Sequence, residues 1–158
     1  MEKKYLTNTL KRYCSNDSKK EKVRVILTNR GFQTVFIYRL SNILYKKKLE
    51  FLSMFLTRII QIMYSIDIDY RSEIQEGLLI YHCVGLVIGK GVKIGKNCTM
   101  FQNTTLGGKY SKSDSGFPTI GDNCLIGTGS ILLGSINIPN NKKIPAGTII
   151  ISNTKEAI

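Results

Sequence analysis

The chain has 158 residues, 42% of them hydrophobic, enough for one domain or a small domain with an appendage. Its formal net charge is +12, and its single His, absent Trp and four scattered Cys form no CxxC pair or metal-ligand cluster, so a disulfide framework and a bound metal are excluded as readings. The polar start MEKKYLTNTLKRYC has no apolar leader and no apolar run reaches spanning length, so a cytoplasmic setting is expected.

The charge is uneven. Residues 1–66 hold 14 Lys/Arg against 4 Asp/Glu, whereas residues 67–158 hold 9 against 7. The basic excess therefore belongs to the first segment. It carries no nucleic-acid-binding motif, so nucleic acid is not expected as a partner. Peripheral contact with the anionic inner face of a membrane, an acidic partner or a simply solvated basic surface would each fit it.

Taken in order, residues 1–22 read as a polar lead-in, loose or helical. Residues 23–64 have helical apolar spacing, with Phe36, Arg39, Leu40, Ile43 and Leu44 marking an amphipathic stripe. Lys46, Lys47 and Lys48 end that helix, where cations suit the dipole. A second helix is expected over 50–63, inside an apolar stretch (51–66) that reads as buried or interfacial. Residues 1–66 are thus expected to form a basic helical cap.

From Asp67 a six-residue beat begins: Ile68, Ile74, Ile80, then Ile88, Ile94, Met100, Leu106, then Ile120, Ile126, Leu132, Ile138, Ile144, Ile150. Neither an α-helix nor an alternating strand has this period, and a hexapeptide repeat means a parallel β-helix of three-sided coils. The fold class is mainly β, with a short helical N-terminal region, and residues 67–158 form the β-helix. Small residues at the fifth position (Val92, Cys98, Thr104, Cys124, Ser130, Ile136) are expected inside. Gly89, Gly95, Gly121 and Gly127 at the second position are expected at corners needing positive φ, and Asn97, Asn123 and Asn141 at left-handed corners. The beat slips by two residues between Ile80 and Ile88. It is broken at 107–119, GGKYSKSDSGFPT, which reads as an extruded loop. Lys142 falls on an inward position, so the last coil is expected to fray or to be covered by a neighbour.

The lone histidine, His82, occupies an outward position beside the slip. A neutral imidazole there accepts a proton near neutral pH. The stretch 77–109, GLLIYHCVGLVIGKGVKIGKNCTMFQNTTLGGK, resembles the left-handed β-helix acyltransferases, in the branch containing the serine O-acetyltransferases. PTIGDNCLIGTGSILLG (118–134) continues the likeness, and GFQTVFIYRLSNILYKKK (31–48) resembles that branch's helical lead-in. The left hand of the coil comes from this resemblance.

The resemblance implies acetyl-CoA as donor, a homotrimer, and active sites in grooves between subunits. His82 matches the catalytic base and Asp67 its orienting carboxylate. Gly107, Gly108, Thr128, Gly129, Ala146 and Gly147 match the groove that meets CoA, with Lys109, Lys112, Lys142 and Lys143 as candidates for its phosphates. A three-histidine zinc site of the kind some hexapeptide β-helices hold is excluded by the single His. Three departures stand out: Tyr81 replaces an Asp before the base, Gly116 and Phe117 replace Arg-His before Pro118, and the helical lead-in is short. The groups that hold a serine zwitterion are missing, while Tyr81, Gln102 and Phe117 suit a sugar. The expected activity is therefore O-acetylation of a sugar hydroxyl in surface-polysaccharide biosynthesis. The alternatives are a serine O-acetyltransferase of cysteine biosynthesis, which the terminal Ile158 also fits, and a non-catalytic β-helix scaffold.

Overall fold

The computed structural model describes residues 2–109 and 116–152. Lys112 and Ile158 lie outside the described residues. Four helices come first: α1 (Glu2–Tyr13), α2 (Lys19–Thr28), α3 (Arg30–Lys46) and α4 (Glu50–Tyr64). Local chemistry sets their ends. The Ser18 side chain accepts the Glu21 N–H at the start of α2, and that of Asn29 accepts the Phe32 N–H at the start of α3. Ser65, left-handed at φ 53°, closes α4 and turns the chain into the first strand.

The stripe expected on α3 is only partly covered, with Arg39, Ile43 and Leu44 half-buried. Phe36 and Leu40 are exposed, and the buried face is Phe32, Thr34, Val35, Tyr38, Ser41 and Asn42. The physical reason lies in what α3 covers. The bottom coil of a β-helix presents unpaired backbone groups, and polar side chains answer them. Tyr38 Oη donates to the Ser72 carbonyl at 2.7 Å, and Asn42 Nδ2 to the Tyr70 carbonyl at 2.8 Å. An end-cap helix facing backbone needs hydrogen-bonding groups as well as oil.

Among the described residues thirteen strands of two or three residues follow: β1 (Asp67–Ile68), β2 (Glu73–Ile74), β3 (Leu79–Ile80), β4 (Val87–Ile88), β5 (Lys93–Ile94), β6 (Thr99–Met100), β7 (Thr105–Gly107), β8 (Thr119–Ile120), β9 (Leu125–Ile126), β10 (Ile131–Leu133), β11 (Asn137–Ile138), β12 (Lys143–Ile144) and β13 (Ile149–Ile151). All pair in parallel, in three sheets ordered β1-β4-β7-β10-β13, β2-β5-β8-β11 and β3-β6-β9-β12. The chain winds into a three-sided left-handed parallel β-helix. Each hexad supplies one face, and each face stacks one aliphatic column inward. Ile68, Ile88, Leu106 and Leu132 form one such column, with essentially no exposure. Burying each such side chain contributes roughly 1.5–3 kcal/mol, so the columns hold the prism together. The fifth-position residues Val92, Cys98, Thr104, Cys124, Ser130 and Ile136 are all buried as expected. The Thr104 and Ser130 hydroxyls donate to the Phe101 and Pro145 carbonyls, so neither is buried unpaired.

Two expectations about the corners need correction. Gly89, Gly95, Gly121 and Gly127 do not have positive φ. Gly95, Gly121 and Gly127 are small because the next coil passes against them: a Cβ on Gly127 would lie 2.5 Å from Ala146 N, whereas one on Gly89 would meet only ordinary contacts. The left-handed corner residues are Asn97, Asn103, Asn123 and Asn141, together with other glycines such as Gly129. The final coil also does not fray up to Ser152, since β12 (Lys143–Ile144) pairs with β9 and β13 with β10. Lys142 is exposed rather than inward. The break at 107–119 begins later than expected, because Gly107 ends β7 (Thr105–Gly107) and Thr119 starts β8 (Thr119–Ile120).

Candidate functional site

The two-residue slip places His82. Val87 pairs with Thr105, eighteen residues on, but Asp67 pairs with Val87, twenty on. The extra length lies in the corner between β3 (Leu79–Ile80) and β4 (Val87–Ile88), and His82 sits there with φ 52°. A left-handed non-glycine residue costs on the order of 1 kcal/mol and persists where surrounding structure holds it. Here α1 holds the strand that leads in. Tyr13 Oη accepts the Ile80 N–H at 2.8 Å, two residues before His82. Thr9 Oγ1 accepts the Gly77 N–H, and the Arg12 guanidinium donates to the Gly77 and Cys98 carbonyls. Burial pushes the Tyr13 hydroxyl far above the ordinary tyrosine range, so it stays protonated.

The imidazole is exposed and has no hydrogen-bond partner among the described residues. It opens into a cleft of about 370 Å³ between the corner and the start of α3, lined by Asn29, Arg30, Gly31, Tyr81, Cys83 and Val84, among others. Gly31 lets α3 approach, because a Cβ there would meet the Ile80 carbonyl at 2.4 Å. Among the described residues, the one Lys, Arg, Asp or Glu lining this cleft is Arg30. It is exposed and makes no ion pair or hydrogen bond among the described residues. Sequence reading missed it, since nothing in the sequence brings the α2–α3 junction beside the first β-helix corner.

The prism gathers most of the other candidates onto the same edge. Corners stacked above His82 hold Gln102, then Thr128 and Gly129, then Ala146 and Gly147. A backbone ladder links them: Asn103 N–H to Val84 O, Gly129 N–H to Gln102 O, and Gly147 N–H to Thr128 O, at 2.8–3.1 Å. Thr128 Oγ1 donates to the Gln102 carbonyl at 3.0 Å. Gln102 Oε1 is buried with no partner among the described residues.

Other candidates lie elsewhere. Asp67 does not touch His82 within the chain; its Oδ1 accepts a hydrogen bond from Gln61 Nε2 at 2.7 Å. Gly107, Gly108 and Phe117 lie at the next edge of the prism, between the first and second faces. There Phe117 packs against Gly91 and Gly108 and helps seal the core. Lys109 Nζ is tied to the Ser152 carbonyl at 3.0 Å, while Lys142 and Lys143 are exposed. The candidate residues of one chain therefore lie on two neighbouring edges of the prism.

No family model matches the chain. A serine acetyltransferase of Bacillus licheniformis is 36% identical over 134 residues, covering 85% of this chain and 62% of the relative. One of Helicobacter pylori is 30% identical over 149 residues, covering 94% of this chain and 87% of the relative. The chain thus spans less than two thirds of the Bacillus protein but most of the Helicobacter one. Among solved structures, Neisseria gonorrhoeae serine acetyltransferase in complex with serine superposes with a TM-score of 0.84 at 29% identity, covering 96% of this chain and 63% of that one.

These relatives overturn the expected surface-polysaccharide acceptor. The structure supplies a physical reason. Within one chain, Tyr81 and Phe117, on which the sugar expectation rested, lie on different edges of the prism. Tyr81 stacks on Phe101 with ring centroids 5.2 Å apart, and Phe117 is spent on packing at the other edge.

Proposed function

This chain belongs to the serine acetyltransferase family, and on that premise we propose that it transfers an acetyl group from acetyl-CoA to the hydroxyl of L-serine. The observation that carries the reading is the likeness to the Helicobacter serine acetyltransferase over 94% of this chain, with His82 projecting into an open cleft. The donor thioester lies along the His82 edge, against the exposed backbone of Thr128, Gly129, Ala146 and Gly147. The acceptor enters the cleft beside His82. His82 removes the hydroxyl proton as the oxygen attacks the thioester carbonyl. The carbon–sulfur bond then breaks, and CoA leaves as the thiol, taking up a proton. Asp67 serves as the carboxylate that steadies the imidazolium, once Gln61 releases it.

Acceptor recognition falls to Arg30. A serine zwitterion brings a carboxylate, and the two loop residues expected to meet it are Gly116 and Phe117 here. An unengaged guanidinium in the His82 cleft supplies a bidentate donor for that carboxylate. A homotrimer completes the groove: the Gly107, Gly108 and Phe117 edge of one subunit faces the His82 edge of its neighbour. The outward residues of the first sheet, Val87, Ile131 and Ile149, suit such packing.

The test is CoA release from acetyl-CoA by the purified protein with L-serine, against D-glucose and buffer alone. Release that depends on L-serine supports the reading. Acetyl-CoA binding without release for any acceptor favours a non-catalytic scaffold and rejects it.

A further inference from the structure

The helical region carries a face that neither the prism nor the transfer site uses. α4 is inside out. Toward α3 it buries Ser53 and Thr57 with Ile60. Ser41 Oγ donates to the Ser53 carbonyl, and Ser53 Oγ to the Ser41 carbonyl, at 2.7 and 2.9 Å. Its opposite side holds Phe51, 80% exposed, Phe55, 60%, and Ile62, 76%. These three share one helical face, and Met54 and Met63, also exposed, border it. A helix that hides hydroxyls and presents aromatic rings is covered by something else in its working state.

Charge decides what covers it. Lys46, Lys47 and Lys48 stand exposed just before α4, and exposed Arg58 shares the face with Phe51 and Phe55. The acidic side chains described in the helical region are all engaged by their own chain. Asp17 pairs with Lys22, Glu21 with Arg24, and Glu50 accepts from Tyr70. The same face of a second copy would set cation against cation and offer no unengaged carboxylate from this region. A bilayer with anionic headgroups offers an apolar layer and opposite charge together.

We infer that α4 docks in the plane of an anionic membrane surface, with Phe51, Phe55 and Ile62 at the acyl boundary and Lys46, Lys47, Lys48 and Arg58 among the headgroups. At 15 residues α4 lies in the interface rather than crossing it, and no helix among the described residues is long and apolar enough to cross a membrane. The inference is independent of the acceptor.

The test uses the full chain with phosphatidylcholine vesicles, with and without phosphatidylglycerol, in co-sedimentation, alongside sedimentation velocity without lipid. Binding is expected to be at least about tenfold stronger to the anionic vesicles and to weaken as salt rises. Phe55→Asp and Ile62→Asp should each weaken it about tenfold or more, the equivalent of losing one buried apolar side chain. Oligomeric state and CoA release should not change. Equal binding to both vesicle types, no binding, or salt-independent binding overturns the inference. So does a change of oligomeric state in either variant, which would assign the face to a second copy.

Discussion

Replacing His82 by Asn separates chemistry from structure at this site. The position is left-handed, φ 52°, a conformation that Asn tolerates and most side chains do not. The imidazole is exposed and makes no hydrogen bond within the described chain, so its loss removes no fold-stabilising contact. Stability should move by no more than about 0.5 kcal/mol, the ordinary range for a surface change. For a chain of this size that is about 2 °C or less in Tm. The carboxamide keeps the shape but cannot take a proton. Positioned general-base catalysis contributes about 10²–10⁴-fold, or roughly 3–5 kcal/mol of barrier. Steady-state CoA release with L-serine, followed by a thiol reagent, should therefore show kcat lowered by about 10²–10⁴ with Tm nearly unchanged. Turnover within about threefold of wild type would show that another group takes the proton, for a threefold change is well under one kcal/mol. A large Tm loss would show instead that the corner depends on the imidazole.

Three further outcomes follow from the geometry. Arg30→Gln should raise KM for L-serine about tenfold or more with little effect on kcat, while the KM for acetyl-CoA stays put; a charge-assisted hydrogen bond of roughly 1.5–3 kcal/mol is at stake. An unchanged serine KM removes Arg30 from the acceptor site. Gly127→Ala forces a Cβ to within 2.5 Å of Ala146 N in the next coil. The atoms it meets, Ala146 N and Cα and Pro145 C, belong to backbone and cannot swing aside, so the cost is about 1–3 kcal/mol, read as a Tm drop of several degrees. Asp69 is half-buried; desolvation raises its pKa, but hydrogen bonds and charge from Arg71 outweigh this and hold it below the ordinary aspartate range. Its contribution is therefore complete above about pH 4, the unfolded value, and is lost as pH falls through the lower folded value. Asp69→Asn should flatten the acid limb of urea-unfolding stability in that window, and an identical acid limb in the variant would refute it.

The hexad beat determined most of the β-helix. A period of six fixes which residue of each rung points inward, so the columns through Ile68, Ile74 and Ile80 needed no tertiary information. The slip between Ile80 and Ile88 marked the irregular corner for the same reason: two extra residues between locked faces have nowhere to go but outward. The left-handed asparagines were legible too, because few other side chains accept that conformation.

Other features depended on contacts that no local pattern encodes. The second-position glycines look like turn residues, yet at Gly95, Gly121 and Gly127 it is the coil above that forbids a Cβ. The buried face of α3 mixes Phe32 and Val35 with Tyr38, Ser41 and Asn42 because it meets the bare end of a prism, so hydropathy alone did not locate it. Arg30 enters the His82 cleft only because Gly31 lets a helix start approach a strand fifty residues away in sequence. Sequence alone determined the repeat and its irregularities, since a stacked coil repeats the same local rule. Tertiary structure decided which face the cap buries, the cleft at His82 and the uncovered face of α4, since each arises where the repeat meets something unlike itself.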